Sequence, residues 1–219
     1  VAYTDEGIAL RNGGIEIPIL VLHPQTQNLE LIIEHQLEPS LYNFKILDTF
    51  LEIADSKHFL NFPIHLKFNT GLNRIGFWHD EAPLILAKIA ASNNVKVASL
   101  FSHLAASDDI KEEQFTTNQI NDFSLIAKQF YTHLKYEPTL HLLNTSGIIN
   151  YPQAQFDMVR LGIGLYGFGN DEIETKSLQN VVSLKSIISQ IHLNKKGESV
   201  GYNRAFIADK PIKSATIPI

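Results

Sequence analysis

Short β-rich runs alternate with amphipathic helical stretches over about the first 165 residues, and no other feature restricts the fold as much. Ile19–Leu22, Ile64–Asn69, Val95–His103, Thr139–Asn144 and Phe156–Arg160 read as strands, and Val1-Ala2-Tyr3 opens in a further strand-like run. Phe44–Ala54, Glu81–Ala91 and Asn118–Leu134 read as helices. In the last of these, Ile120, Phe123, Ala127, Phe130, Tyr131 and Leu134 fall on one face at helical spacing. Strand–helix–strand repetition implies parallel pairing, in either a barrel or a doubly wound sheet.

The strand ends favour the barrel. In residues 65–69, His65, Lys67 and Asn69 share one face while Leu66 and Phe68 share the other. A strand covered by helices on both faces is apolar on both. In a barrel, polar groups on the inward face near the C-terminal rim become a site. A lysine pointing inward there needs a partner or a modification, because a bare buried ammonium is costly. After about residue 176 the pattern becomes one of strands alone. Residues 181–193 alternate with period two, and residues 197–207 and 212–219 follow as further strands. The expected organisation is a partial (β/α)8 TIM-type barrel over 1–175, then the beginning of an all-β domain over 176–219.

Composition narrows the function classes. The 219 residues are 44% hydrophobic and 19% charged, with a net charge of -5 and no basic stripe, so a nucleic-acid partner is not expected. No apolar run reaches the roughly 20 residues of a membrane span, and no signal-peptide pattern opens the chain, which leaves the cytoplasm as the expected location. With no cysteine, disulfides and thiolate metal sites are excluded, and no other metal site is expected.

Polar residues gather where the strands end. Lys67 precedes the loop carrying Arg74, His103 ends one strand, Asn144-Thr145-Ser146 end another, and Arg160 stands just before Gly162 and Ile163. Each taken singly has a plain structural explanation: a satisfied histidine, a salt-bridge arginine, a helix cap. Together they would face one rim. Hydroxyl and glycine amides after late strands suit a phosphate, and Arg with His suits an aromatic ligand bearing ring nitrogen and oxygen.

The strings HLKFNTGLNRIGF (65–77), FSHLAASDD (101–109), HLLNTSGIINYPQAQFDMVRLGIGLYG (141–167) and SLKSIISQIHLNKKGESVGYNRAF (183–206) resemble alanine racemases, in family order. Residues 1–22 resemble that family's second barrel strand and the helix after it. The resemblance implies a pyridoxal 5'-phosphate (PLP) enzyme, homodimeric, that interconverts L- and D-alanine by a two-base mechanism and supplies D-alanine for peptidoglycan. It implies that Arg160 donates to the pyridine nitrogen. An arginine cannot protonate that nitrogen, which leaves the ring a weaker electron sink. His103 would hydrogen-bond to that arginine. Thr145, Gly162 and Ile163 would hold the phosphate, with Asn144 shaping their loop. Arg74 would contact the cofactor's ring oxygen and the substrate carboxylate. Lys67 matches a lysine often carbamylated in the family, and a carbamate would pair with Arg74. Tyr202 matches the catalytic base, contributed by the partner subunit; on its own it would read as a packed strand tyrosine.

Some positions depart from the family pattern. Asn69 stands where Asp is common, Asn73 where Gly is common, and Thr145 where Ser is common. The lysine that forms the Schiff base and serves as second base belongs to a Lys-x-x-Ala-Tyr-Gly-His string not found here. Val1 and Ile217–Ile219 both read as lying inside strands, so the sequence is read as a fragment that by itself would not racemise alanine. Three alternatives stand beside this one. They are a fold-related PLP enzyme (a broad-specificity racemase or a decarboxylase), a non-catalytic PLP-binding barrel, and a racemase fused to a D-alanyl-D-alanine-adding ligase.

Overall fold

The computed structural model describes residues 1–219, which form two compact units, 1–180 and 181–219. In the first unit the elements run α1 (Thr4–Asn12), β1 (Leu20–Val21), α2 (Leu29–Glu34), β2 (Glu38–Leu41), α3 (Phe44–Ser56), β3 (Phe62–Lys67), α4 (Ala82–Ala90) and β4 (Val95–Phe101). They continue with α5 (Glu113–His133), β5 (Thr139–His141), α6 (Thr145–Asn150) and α7 (Glu172–Lys176), and α7 spans the junction read from sequence at 175/176.

The five strands are all parallel and lie in the order β1-β2-β3-β4-β5. A doubly wound sheet reverses its strand order at a switch point; here each strand pairs with the next in sequence, as in a barrel wall. The unit is a curled half-barrel. Its outer strand face packs Ile64, Leu66, Val97 and Leu100 against Leu47, Phe50, Ile85, Phe123 and Phe130 of α3, α4 and α5, all fully buried. At roughly 1.5–3 kcal/mol per buried large apolar side chain, this layer is the main favourable term for the unit. The inner face is polar and layered. Register sets Ser40 beside His65 and His65 beside Ser99; one layer up, Lys67 pairs with Phe101 and Phe101 with His141.

Local capping agrees with the sequence. Asn43 Oδ1 accepts from the Ile46 amide at 3.0 Å to start α3, and Asn144 Oδ1 accepts from the Gly147 amide at 2.9 Å to start α6.

Four expectations are corrected. Strand β2 was not read from the sequence, since Pro39 removes a ladder donor and Glu38 disguises the run. Val1-Ala2-Tyr3 is not a strand, although the Val1 and Ala2 carbonyls accept from the Leu22 and His23 amides beside β1. Phe156–Arg160 forms only a single bridge, Met158 to His141, with Arg160 N donating to Leu143 O at 2.9 Å. In the second unit, the long alternating run at 181–193 is a strand only over β6 (Gln190–Asn194). This strand pairs antiparallel with β9 (Ile212–Thr216), and β7 (Ser199–Val200) pairs with β8 (Phe206–Ile207). The ladder of β6 with β9 begins at Gln190 opposite Thr216, so the alternation at 181–189 lies outside it, whatever its side-chain pattern.

Candidate active site

At the C-terminal ends of β3, β4 and β5 lies a cavity of about 650 Å³. Lys67, Arg74, His103, Asn144, Thr145, Arg160, Gly162 and Ile163 all line it, so every candidate from the first unit converges on one place. Three of its lining side chains are cationic and none is a carboxylate. Such a cavity favours an anion.

Arg160 is its most constrained member. Nη1 donates to His141 Nδ1 at 2.6 Å and to the His141 carbonyl at 3.2 Å. Nη2 donates to the Ser102 carbonyl at 2.6 Å, to His103 Nδ1 at 3.1 Å and to the Leu142 carbonyl at 3.2 Å. Both Nη groups are thus committed to the protein, while Nε–H has no protein acceptor. Burial brings the guanidinium pKa down to about 10, still far above neutrality. Burial and then the Arg160 charge hold His103 down at about 4, and the same causes push His141 far below its ordinary value. Both imidazoles are neutral at pH 7, and each must accept at Nδ1 from Arg160.

Lys67 is 5% exposed and ends β3 without an ion pair. Its Nζ sits 5.0 Å from the centre of the Phe101 ring, and the guanidinium carbon of Arg160 lies 5.3 Å from the same ring. His141 stacks on Phe101 with centroids 4.7 Å apart. Phe101 therefore floors the cavity between two cations. Burial first, then Arg160 and Arg74, bring the Lys67 pKa down to about 7.

Arg74 is exposed and unpaired on the loop after β3. Asn69 Oδ1 accepts from the Gly71 amide at 3.2 Å and the Asn73 amide at 2.9 Å, and its Nδ2 donates to Asn73 Oδ1 at 2.9 Å. Asn73 itself has φ 54°, a conformation suited to Gly or Asn. Asn69 and Asn73 are therefore coupled through their hydrogen bonds. Asn69→Asp alone sets two acceptors against each other and is expected to destabilise the protein by about 1–2 kcal/mol, with Asn73→Gly recovering most of that loss. Urea denaturation of the two single variants and the double variant checks this; additive losses would overturn it.

Thr145, at the start of α6, accepts at Oγ1 from the Gly162 and Gly164 amides, both at 3.2 Å. Its own O–H is left to donate to an anion. Ile163 opens the 3-10 turn Ile163–Tyr166, where a helical turn leaves amides without an internal acceptor. Asn144 caps α6 and accepts from Ser107 Oγ at 2.8 Å, a role within the protein. Tyr202 belongs to the second unit, between β7 and β8, and is fully exposed there.

Sequence reading missed Phe101, His141, Ser99 and Glu38 as partners of these residues. The usable signal was the inward face of each strand, which puts His65 and Lys67, Ser99 and Phe101, and His141 in adjoining layers.

Residues 1–169 match the family described as alanine racemase, N-terminal domain. The chain is 33% identical to the alanine racemase of Clostridium novyi (strain NT) over 228 residues, and 30% identical to that of Thermodesulfovibrio yellowstonii over 219 residues. All of the chain is aligned in both cases, but only 57% and 56% of the relatives, so it spans somewhat over half their length. Among solved structures, alanine racemase from Clostridium difficile 630 superposes with TM-score 0.79 at 25% identity, covering 100% of this chain and 59% of that one. The biosynthetic alanine racemase from Pseudomonas aeruginosa gives TM-score 0.82 at 22% identity, over 99% of this chain and 59% of that one, a likeness of fold. With its parallel half-barrel and cationic rim cavity, the chain belongs to the alanine racemase family, of which it carries the N-terminal domain.

Proposed function

We propose that the protein containing this chain is a PLP-dependent alanine racemase, with the cofactor in the rim cavity. The observation that carries the reading is Arg160, whose Nη groups are anchored on two neutral histidines and three carbonyls while Nε–H is left for a ligand. The residues fit the group. A permanently charged donor suits an unprotonated pyridine nitrogen, the Thr145 hydroxyl with the Gly162 and Ile163 amides suits a phosphate, and Phe101 offers an apolar floor. When bound, PLP supplies the electron sink for the carbon that loses its α-proton.

The protein's own residues orient and hold charge. Arg160 would donate a hydrogen bond to the ring nitrogen without transferring a proton to it, because a guanidinium does not give up its protons at neutral pH. His103 and His141 stay neutral and brace it. Arg74, exposed and without an ion pair, is free to meet a carboxylate. Lys67, with a pKa near 7, holds a large neutral fraction at neutral pH. Carbon dioxide can then bond to its nitrogen with loss of one proton to solvent, giving a carbamate that pairs with Arg74. Tyr202, supplied by a second subunit of a homodimer, would take or return the proton on one face of the α-carbon; its full exposure leaves it available for that role. The product D-alanine would serve peptidoglycan synthesis in the cytoplasm.

A fold-related decarboxylase would set an acidic group against the ring nitrogen, and no Asp or Glu lines this cavity. A barrel that only binds PLP has no use for the β-rich residues 181–219. The test is full-length protein with PLP and L-alanine in deuterated water, followed by chiral chromatography. D-alanine with deuterium at the α-carbon is expected. PLP binding with no racemisation of any amino acid, or with release of carbon dioxide, would overturn the proposal.

A further inference from the structure

We infer that Glu38 is a positioning residue for the rim cavity, holding Arg160 from the opposite end of the sheet through His65, Ser99 and His141. Four hydrogen bonds join them in series. Arg160 Nη1 meets His141 Nδ1 at 2.6 Å, His141 Nε2 meets Ser99 Oγ at 2.8 Å, Ser99 Oγ meets His65 Nδ1 at 2.6 Å, and His65 Nε2 meets Glu38 Oε2 at 2.7 Å. Ser99 and the His141 ring are essentially fully buried, and Glu38 is largely so.

The direction of this series is set from its Arg160 end. A guanidinium only donates, so His141 must accept at Nδ1 and carry its proton on Nε2. That proton can go only to Ser99 Oγ, which leaves the serine hydrogen to donate to His65 Nδ1. His65 in turn carries its proton on Nε2 and gives it to the Glu38 carboxylate. All four donors point from the cavity towards Glu38, and the row starts on a cation and ends on an anion. Reversing the His141–Ser99 link puts a proton on His141 Nδ1, facing the Arg160 N–H. Glu38 is therefore the acceptor that keeps the row in the one arrangement compatible with Arg160. It starts β2, whereas Arg160 lies beyond the end of β5, and a separate cavity of about 580 Å³ reaches it from the far side.

The inference rests on the PLP reading for its affinity readout alone, and the tautomers are read without cofactor. The experiment records histidine ring ¹⁵N spectra of full-length cofactor-free protein as wild type, Glu38→Ala and Glu38→Gln, then titrates each with PLP by absorbance. Wild type is expected to show a proton on Nε2 of both His65 and His141, with Nδ1 of each accepting. Glu38→Ala should introduce protonated Nδ1 at His65 and weaken PLP about tenfold. Glu38→Gln, whose amide oxygen still accepts, should restore the tautomers and bring affinity back to within about twofold of wild type. In a Ser99→Ala background, Glu38→Ala should have no further effect on affinity, because the row is already cut. Unchanged tautomers and affinity in Glu38→Ala, or wild-type His141 protonated at Nδ1, would overturn the inference. Tautomers that shift as expected in a protein that never binds PLP would support the positioning role and overturn the cofactor assignment instead.

Discussion

Replacing Arg160 by alanine is expected to lower stability at pH 7 by about 4 kcal/mol, well beyond the loss from an ordinary partly buried side chain. The guanidinium satisfies the carbonyls of Ser102, His141 and Leu142 and the Nδ1 atoms of His103 and His141. Each acceptor left unpaired in a buried place costs roughly 1–3 kcal/mol, and water entering the cavity would relieve some of them. The variant should also change how stability depends on pH. His103 titrates at about 4 in the folded protein against an ordinary 6.5, so the unfolded chain binds the extra proton first as pH falls. The corresponding stability is present above pH 6.5 and is lost on acidification towards pH 4. With the Arg160 charge removed, His103 should titrate higher, burial and the Lys67 and Arg74 charges still holding it below 6.5, and the acid loss should shrink. Urea denaturation at pH 7 and pH 5 checks both effects. A variant as stable as wild type, with the same pH slope, would contradict the bonding described for this arginine.

Lys67→Met is expected to act in the opposite direction on the cofactor-free protein. The lysine titrates at about 7 when folded and near 10.5 when unfolded, so between those values the unfolded chain holds more protons. Stability must then rise with pH across that window, and the penalty is fully present below pH 7. At one unit per 1.36 kcal/mol, the penalty at pH 7 is about 4 kcal/mol. Methionine keeps the contact with Phe101 without the charge, so the variant should gain about 2 to 4 kcal/mol at pH 7. The gain should vanish by pH 10.5. It should also shrink when wild type is held in bicarbonate, since a carbamate would remove the ammonium and would carry a charge that Arg74 can pair. Thermal melts across pH, with and without bicarbonate, give the answer; a destabilised variant at pH 7 would show that the ammonium has a favourable partner.

Much of this was legible in the sequence because strand ends and loops carry their own chemistry. Lys67, His103, Thr145 and Arg160 are each marked by a polar residue at or just beyond the end of an apolar run, Arg74 lies on the loop after one, and one parallel topology is enough to bring them together. The Glu38–His65–Ser99–His141 row was not legible, since its members are 27, 34 and 42 residues apart in sequence and meet only through inter-strand register. Strand β2 escaped notice because four residues containing a proline give too little pattern. The overlong strand at 181–193 shows the converse error, where a clean alternation runs on beyond the ladder that β6 forms with β9. Asn69 and Asn73 looked like two separate oddities until their side chains proved to be bonded to each other.

Because β1 to β5 each lie beside the next strand in sequence, the long-range contacts of the first unit are modest in span. Closing a loop of a few dozen residues is a small entropic step, and doubling its length adds only about 0.6 kcal/mol. The half-barrel can therefore grow by accretion, each helix–strand pair docking on an edge already in place as the chain leaves the ribosome. Its slowest event should be the first parallel pairing, and substitutions around β3 and β4, which share the longest register, should retard refolding more than equally destabilising ones in α6 or α7.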